Sequence, residues 1–146
     1  MAENLDVTRK KWGRAPIDAG FTILPNHLLS VNQFLPESVR LSPTELVVLF
    51  QVLSAWWSPE RMPFPSKATI AKRTALSPRQ VQRAISALEA KGFLERGARF
   101  SQNNARVSNV YELDKTVALI SEIAKDHPRA FKGRKLDDEN NESPNR

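Results

Sequence analysis

The tightest constraint on how this chain can fold is a pair of helix starts set close together between Ser66 and Gly92. In Ser77-Pro78-Arg79-Gln80, serine stands at the cap, proline at the first helical position, and glutamine where its side chain can return a hydrogen bond to the cap backbone. The helix opened there runs to Lys91, and Gly92 supplies the left-handed residue that ends it. Just upstream, Ser66 caps a shorter helix, Lys67 to about Thr74, with Ile70 and Ala71 on its inner face. Only Ala75 and Leu76 separate the two. At 100° per residue, Val81, Ala84, Ile85 and Leu88 centre on one side of the second helix, and Arg79, Gln82, Arg83, Ser86 and Ala90 lie opposite.

The text around this pair is less sharply written. Ser42-Pro43-Thr44-Glu45 is a third capped start, and the helix it opens extends through Trp56 and Trp57, with Leu46, Leu49, Phe50, Leu53, Trp56 and Trp57 on one face. Val48, Val52 and Ala55 form a second apolar stripe. The Trp56-Trp57 pair is read as core. Upstream, Phe21 to Leu24 reads as a short strand and Pro25 as the start of a short helix through Leu28, Leu29 and Val31. Ser58 to Pro65 holds three prolines and is a loop. Beyond Gly92 the period switches to two. Phe93 to Phe100 and Val107 to Leu113 read as a hairpin around the polar turn 101–105, with Tyr111 and Leu113 directed toward the core. Lys115 to Lys125 is a short amphipathic helix that His127-Pro128 ends. The expected division is a flexible basic arm over 1–16, one domain over 17–126 and a disordered tail over 127–146.

Charge is sorted along the chain. Residues 1–60 hold 5 basic and 6 acidic side chains, residues 61–110 hold 10 and 2, and residues 111–146 hold 7 and 8. A basic block inside the folded region, between near-neutral ends, is the electrostatic footprint of a surface that meets phosphates. Other chemistries have little to stand on. There are no cysteines, and the two histidines, His27 and His127, lie a hundred residues apart, so no metal site and no cofactor is expected. No nucleophile with a base and no paired carboxylates stand out, so the chain does not read as an enzyme. The longest apolar run is Leu46 to Phe50, far short of the ~20 residues needed to span a bilayer. The first twenty residues hold no apolar signal region, which places the chain in the cytoplasm.

Helix, tight turn, capped helix and hairpin within the basic block is the element order of a winged helix-turn-helix, mainly α with a small β wing. Ser66 to Gly92 resembles the helix-turn-helix of bacterial winged-helix proteins. Ala71 stands at the small position of the first helix, Leu76 at the apolar plug of the turn, and Val81, Ile85 and Leu88 on the core stripe of the second. More narrowly, Pro63-Phe64-Pro65-Ser66-Lys67, Ser77 to Arg83 and Leu88-Glu89-Ala90-Lys91-Gly92 look like a proteobacterial family of small helix-turn-helix proteins. That family is itself similar to the DNA-binding domains of plasmid and phage replication initiators. The resemblance covers about residues 12–114. It departs at Ala75, often glycine in such turns, where a positive φ would cost about 1 kcal/mol.

The resemblance implies a recognition helix over 78–91 in a DNA major groove and a wing over 97–107 on the adjacent backbone or minor groove. Arg79 and Arg83 suit guanine through their guanidinium forks, Gln82 and Gln80 suit adenine, and Ser86 permits close approach. For each arginine a phosphate contact or a free surface charge is the alternative, and Gln80 is a capping residue first. Ser66, Lys67, Lys72, Arg73 and Ser77 are expected on the backbone, and Arg99, Asn103, Asn104 and Arg106 on the wing. The cluster Arg9 to Arg14 is a weaker candidate for tracking a groove.

The expected partner is double-stranded DNA, with no membrane and no small-molecule ligand. The expected task is sequence-specific transcriptional regulation, of a mobile or accessory element, by a non-enzymatic protein. Replication initiation is the alternative; an initiator usually carries a further domain, and only about 30 residues follow the wing. A winged helix used for protein contacts is a third reading, which Arg79 and Arg83 oppose. A homodimer is expected through the Val48-Val52-Ala55 stripe, the Val117-Ile120-Ile123 stripe, or both, unless Phe21 to Val31 covers one of them.

Overall fold

Three serines, Ser42, Ser66 and Ser77, start three successive helices by the same device. In the computed structural model, which describes residues 2–100, 102–105, 107 and 109–132, each serine hydroxyl accepts from the backbone N–H three residues on, at 3.0–3.1 Å. At Ser42 and Ser77 the box is closed, because Glu45 and Gln80 accept from the cap N–H at 3.3 and 2.9 Å. These caps open α4 (Pro43–Ser54), α5 (Lys67–Thr74) and α6 (Pro78–Ala90). The described chain begins with α1 (Ala2–Trp12), α2 (Arg14–Ala19) and α3 (Asn26–Leu29). Two 3₁₀ turns follow at Val31–Phe34 and Glu37–Val39. Strands β1 (Glu95–Gly97) and β2 (Val110–Glu112) follow α6, and α7 (Asp114–Asp126) comes last.

Helices α4, α5 and α6 pack on one another, and their shared core is Val48, Leu49, Val52, Ile70, Val81, Ile85 and Leu88, all essentially without solvent exposure. Leu28, Val31 and Leu35 cover it from the N-terminal side, and Phe93, Leu94, Tyr111 and Leu113 from the hairpin side. The turn between α5 and α6 closes with Ala75 in the left-handed region, φ 58° and ψ 22°. Thr74 holds that turn by donating to the Ile70 carbonyl at 2.7 Å, and Leu76 packs against the core. At the far end of α6, Gly92 has φ 83°, its N–H reaches the Glu89 carbonyl, and the Phe93 N–H reaches the Leu88 carbonyl at 2.9 Å. That pair of bonds satisfies carbonyls the helix end would leave open.

The hairpin is antiparallel, with Arg96 opposite Tyr111 and Gly97 opposite Val110. It is shorter than its apolar text predicts. Among the described residues the regular ladder ends at Gly97 and Val110; beyond it the Val107 N–H donates to the Arg99 carbonyl at 2.9 Å and Phe100 stands in an isolated bridge. Phe100 and Val107 are exposed, so nothing apolar supports a longer ladder.

Several sequence expectations are corrected. Phe21 to Leu24 has no strand structure, having no partner strand among the described residues. Helix α4 ends at Ser54 rather than at the tryptophans. Trp57, beyond that end, no longer follows the helical period and is 81% exposed, while Trp56 packs partly on the core. Of the α4 stripe expected to be surplus, Val48 and Val52 are fully buried and Ala55 is half-buried, while on the other face Leu49 is equally buried and Leu46 and Phe50 are half-buried. In α7, Ile120 and Ile123 are buried and only Val117 of that stripe is exposed. The apolar surplus from which a homodimer is expected is thus largely taken up within one chain.

The ends also differ from expectation. Where a flexible arm is expected, α1 and α2 are helical on either side of Gly13. Arg9 joins them, donating to Asp18 at 3.0 Å and lying 3.8 Å from Asp6. Residues 127–131, expected to be disordered, meet the 3₁₀ turn. The His27 ring stacks on Phe34 at 5.5 Å, Phe131 meets both rings edge-on, and His27 Nε2 lies 2.8 Å from the His127 carbonyl. With the His127 ring 4.9 Å from that of Phe34, four rings from two segments about a hundred residues apart make this contact, which no local period encodes. The remaining tail, 133–146, lies outside the described residues.

Candidate nucleic-acid interface

Helix α6 buries Val81, Ala84, Ile85 and Leu88 and turns Arg79 and Arg83 to solvent. Gln82 and Ser86 lie beside them, half-buried. Gln82 donates to the Ser86 hydroxyl at 3.3 Å along the helix, a weak bond that a better acceptor can displace. Gln80 occupies a different role. Its side-chain oxygen is held by the Ser77 N–H at 2.9 Å as the reciprocal half of the capping box, so its carbonyl is committed to the helix start rather than to a bidentate base contact. Arg83 and Gln80 line a shallow groove with Ser42 and Glu45 at the start of α4.

Helix α5 presents Lys72 and Arg73, both exposed, in its last turn, where positive charge also suits the helix dipole. Lys67 follows the Ser66 cap and is half-buried. The Ser66 hydroxyl both accepts from the Thr69 N–H and donates to the Thr69 hydroxyl at 2.8 Å, and the Ser77 hydroxyl is likewise engaged in its cap. On the wing, Asn103 and Asn104 are exposed and Asn104 has φ 59°, a left-handed conformation that asparagine tolerates in turns. Arg99 packs its guanidinium 4.0 Å from the centroid of the Phe64 ring. Arg106 lies outside the described residues.

The cations of the basic block divide into two groups by their partners. Lys91 donates to Glu45 at 2.5 Å and to the Arg40 carbonyl at 2.8 Å, tying the end of α6 to the start of α4. Burial opposes ionisation of Glu45, but hydrogen bonds from Lys91 and Ser42 outweigh it and hold its carboxyl below the ordinary value. Arg96 donates through its side chain and its backbone to Glu89, at 2.8–3.2 Å. Those bonds hold the Glu89 carboxyl below its ordinary value and raise Arg96. Burial pushes the Tyr111 hydroxyl up, consistent with a packing role. By contrast Arg61, Lys67, Lys72, Arg73, Arg79 and Arg83 form no ion pair among the described residues.

Two features of this surface are not evident from the sequence pattern. In that pattern Arg61 contributes only charge, and Phe64 only part of a proline-rich loop. In the fold the Phe64 ring also takes the Arg61 guanidinium, at 5.3 Å. An aromatic residue set between two prolines beside a basic block is the one signal of it that the sequence holds.

A short first helix, a tight turn, a capped and exposed second helix, and a two-stranded hairpin after it define the winged helix-turn-helix fold. Residues 39–94 match the family described as a helix-turn-helix domain. The matched segment contains α4, α5 and α6. Among solved structures, one described as a possible transcriptional regulator from Methanosarcina mazei Go1 is 18% identical, with 81% of this chain and 87% of that chain covered and a TM-score of 0.41. No curated protein matches the chain. No described helix is long and apolar enough to cross a membrane, and no described group of side chains could hold a metal ion.

Proposed function

We propose that this protein is a non-enzymatic, sequence-specific binder of double-stranded DNA that acts in the cytoplasm as a transcriptional regulator. The observation that carries the reading is the sorting of charge. Lys91 and Arg96 are neutralised by Glu45 and Glu89, while Arg61, Lys67, Lys72, Arg73, Arg79 and Arg83 are held without counter-ions among the described residues. Like charges gathered this way repel one another in the free protein and gain when a polyanion is brought to them.

In this reading α6 enters the major groove. Arg79 and Arg83 read guanine edges, and Gln82 exchanges its bond to Ser86 for an adenine edge. Lys67, Lys72 and Arg73 meet phosphates and set the register, with Ser66 and Ser77 at the helix starts nearest that backbone. The wing, with Arg99, Asn103, Asn104 and Arg106, lies on the adjacent backbone or minor groove.

Selection of bound sequences from a random DNA pool tests this. A palindromic motif supports a regulator that binds as a dimer on two half-sites. An array of direct repeats favours replication initiation by the same surface. Absence of any enriched sequence overturns sequence-specific binding and leaves protein contacts as the use of the fold.

A further inference from the structure

A cleft of about 560 Å³ opens between the segment 19–22, the end of α4, the loop after it and the outer side of α5. Its polar lining includes Arg61, Thr69 and Arg73, its apolar lining includes Phe21, Trp57 and Phe64, and no acidic residue among those described lines it. Thr69 and Arg73 are four residues apart on α5 and so share one side of that helix. Phe64, on the loop wall, carries the guanidinium of Arg61 at 5.3 Å and that of Arg99, from the wing, at 4.0 Å. The loop is itself fixed to the sheet, because the Pro63 carbonyl accepts from the Tyr111 N–H at 2.9 Å and Pro63 is fully buried.

One aromatic ring thus holds two cations, one from the loop before α5 and one from the root of the wing. Both neighbours of the cleft, α5 and the wing, are elements that the proposed DNA reading already sets against the backbone. Stacking on the ring holds the long Arg61 side chain in place while leaving its guanidinium edge able to donate, which removes much of the ordering cost of a phosphate contact. The apolar lining suits the sugar and the guanidinium edges suit the phosphate.

We infer that this cleft is a seat for the sugar-phosphate backbone of DNA flanking the major-groove contact, with Arg61 and Arg73 as phosphate ligands and Phe64 as the positioning residue for Arg61 and Arg99. The inference rests on the DNA-binding reading and extends the footprint to a loop before the helix-turn-helix. It also gives the wing a fixed root. Rigid placement of Arg99 by Phe64 sets where the wing meets the duplex.

The test uses the full chain and a DNA duplex taken from the random-pool selection. Phe64→Leu keeps an apolar wall but removes the aromatic face; Phe64→Trp keeps the face. Phe64→Leu is expected to weaken DNA binding about two- to fivefold with the melting temperature unchanged, and Phe64→Trp to bind as the wild type does. Arg61→Gln should shallow the slope of log K against log salt by about 0.9. In a chain carrying both Arg61→Gln and Arg99→Gln, Phe64→Leu should have no further effect, which a merely structural role for the ring would not produce. Wild-type affinity and slope in Phe64→Leu and Arg61→Gln, with DNA still bound, overturn this inference and leave the DNA reading intact. Failure of the wild-type chain to bind any duplex overturns both. A titration with inorganic phosphate that shifts the Arg61 and Arg73 side-chain resonances, while Arg61→Gln binds DNA normally, assigns the cleft to a free small anion and overturns the backbone seat.

Discussion

At the scale of single residues, the two arginines of α6 and the alanine of its turn make opposite demands on the chain. Arg79 and Arg83 are exposed and without ion pairs among the described residues, so replacing either by alanine should leave folding intact. Each replacement should weaken specific DNA binding by about 1–3 kcal/mol and relax the preference at one base position, as measured by affinity for a panel of single-base variants. Equal losses on specific and random DNA would make them phosphate contacts instead. Ala75 is the reverse case, a residue that no ligand is expected to touch but whose backbone is strained. At φ 58° its Cβ costs about 1–2 kcal/mol, only partly offset by the greater freedom glycine has when unfolded. Ala75→Gly should therefore stabilise the fold by about 0.5–1 kcal/mol and raise the melting temperature by about 2–5 °C, without altering DNA binding. A fall in melting temperature would show that the turn relaxes in solution.

At the scale of elements, what the sequence makes legible is what short-range hydrogen bonding decides. Ser42, Ser66 and Ser77 can be read as caps because each bond lies within three residues, and Gly92 as a stop because its left-handed φ suits no other residue as well. The α6 surface is legible for the same reason. What is not legible depends on partners distant in sequence. The end of α4 before Trp56, the contact of His27 and Phe34 with Phe131, and the stacking of Arg61 and Arg99 on Phe64 are fixed only once the elements have docked. The Lys91 to Glu45 pair belongs to that second kind, and it carries a pH signature. Because the folded Glu45 carboxyl lies below its ordinary value of 4.5, its stabilisation is complete above that pH and is lost as the pH falls through the lowered folded value. Lys91→Met should cost about 1 kcal/mol at neutral pH, and the gap to wild type should narrow as the pH falls below 4.5 and through the lowered folded value, the bond to the Arg40 carbonyl remaining. Denaturant unfolding at a series of pH values checks this; a gap that stays constant down to pH 3 would assign the loss to packing of the lysine stem.

At the scale of the whole molecule, net charge matters less than which cations are already spent. Lys91 and Arg73 lie in the same basic block and carry the same charge, yet one holds two helices together and the other has no counter-ion among the described residues. A long-range field would treat them nearly alike, whereas direct neutralisation of phosphates would not. Removing Arg73 or Lys72 should therefore shallow the slope of log K against log salt by about 0.9 for each phosphate that is no longer neutralised, with stability unchanged. Removing Lys91 should lower stability and leave the slope as it was. Both sets of variants change the formal charge by one unit, so any difference in slope isolates contact from field. Binding isotherms from about 50 to 300 mM salt on one selected duplex are sufficient, read beside the melting temperature of each variant. If Lys91→Met shallows the slope as much as Arg73→Ala does, DNA senses the block only as diffuse charge, and α5 has no defined place on the backbone.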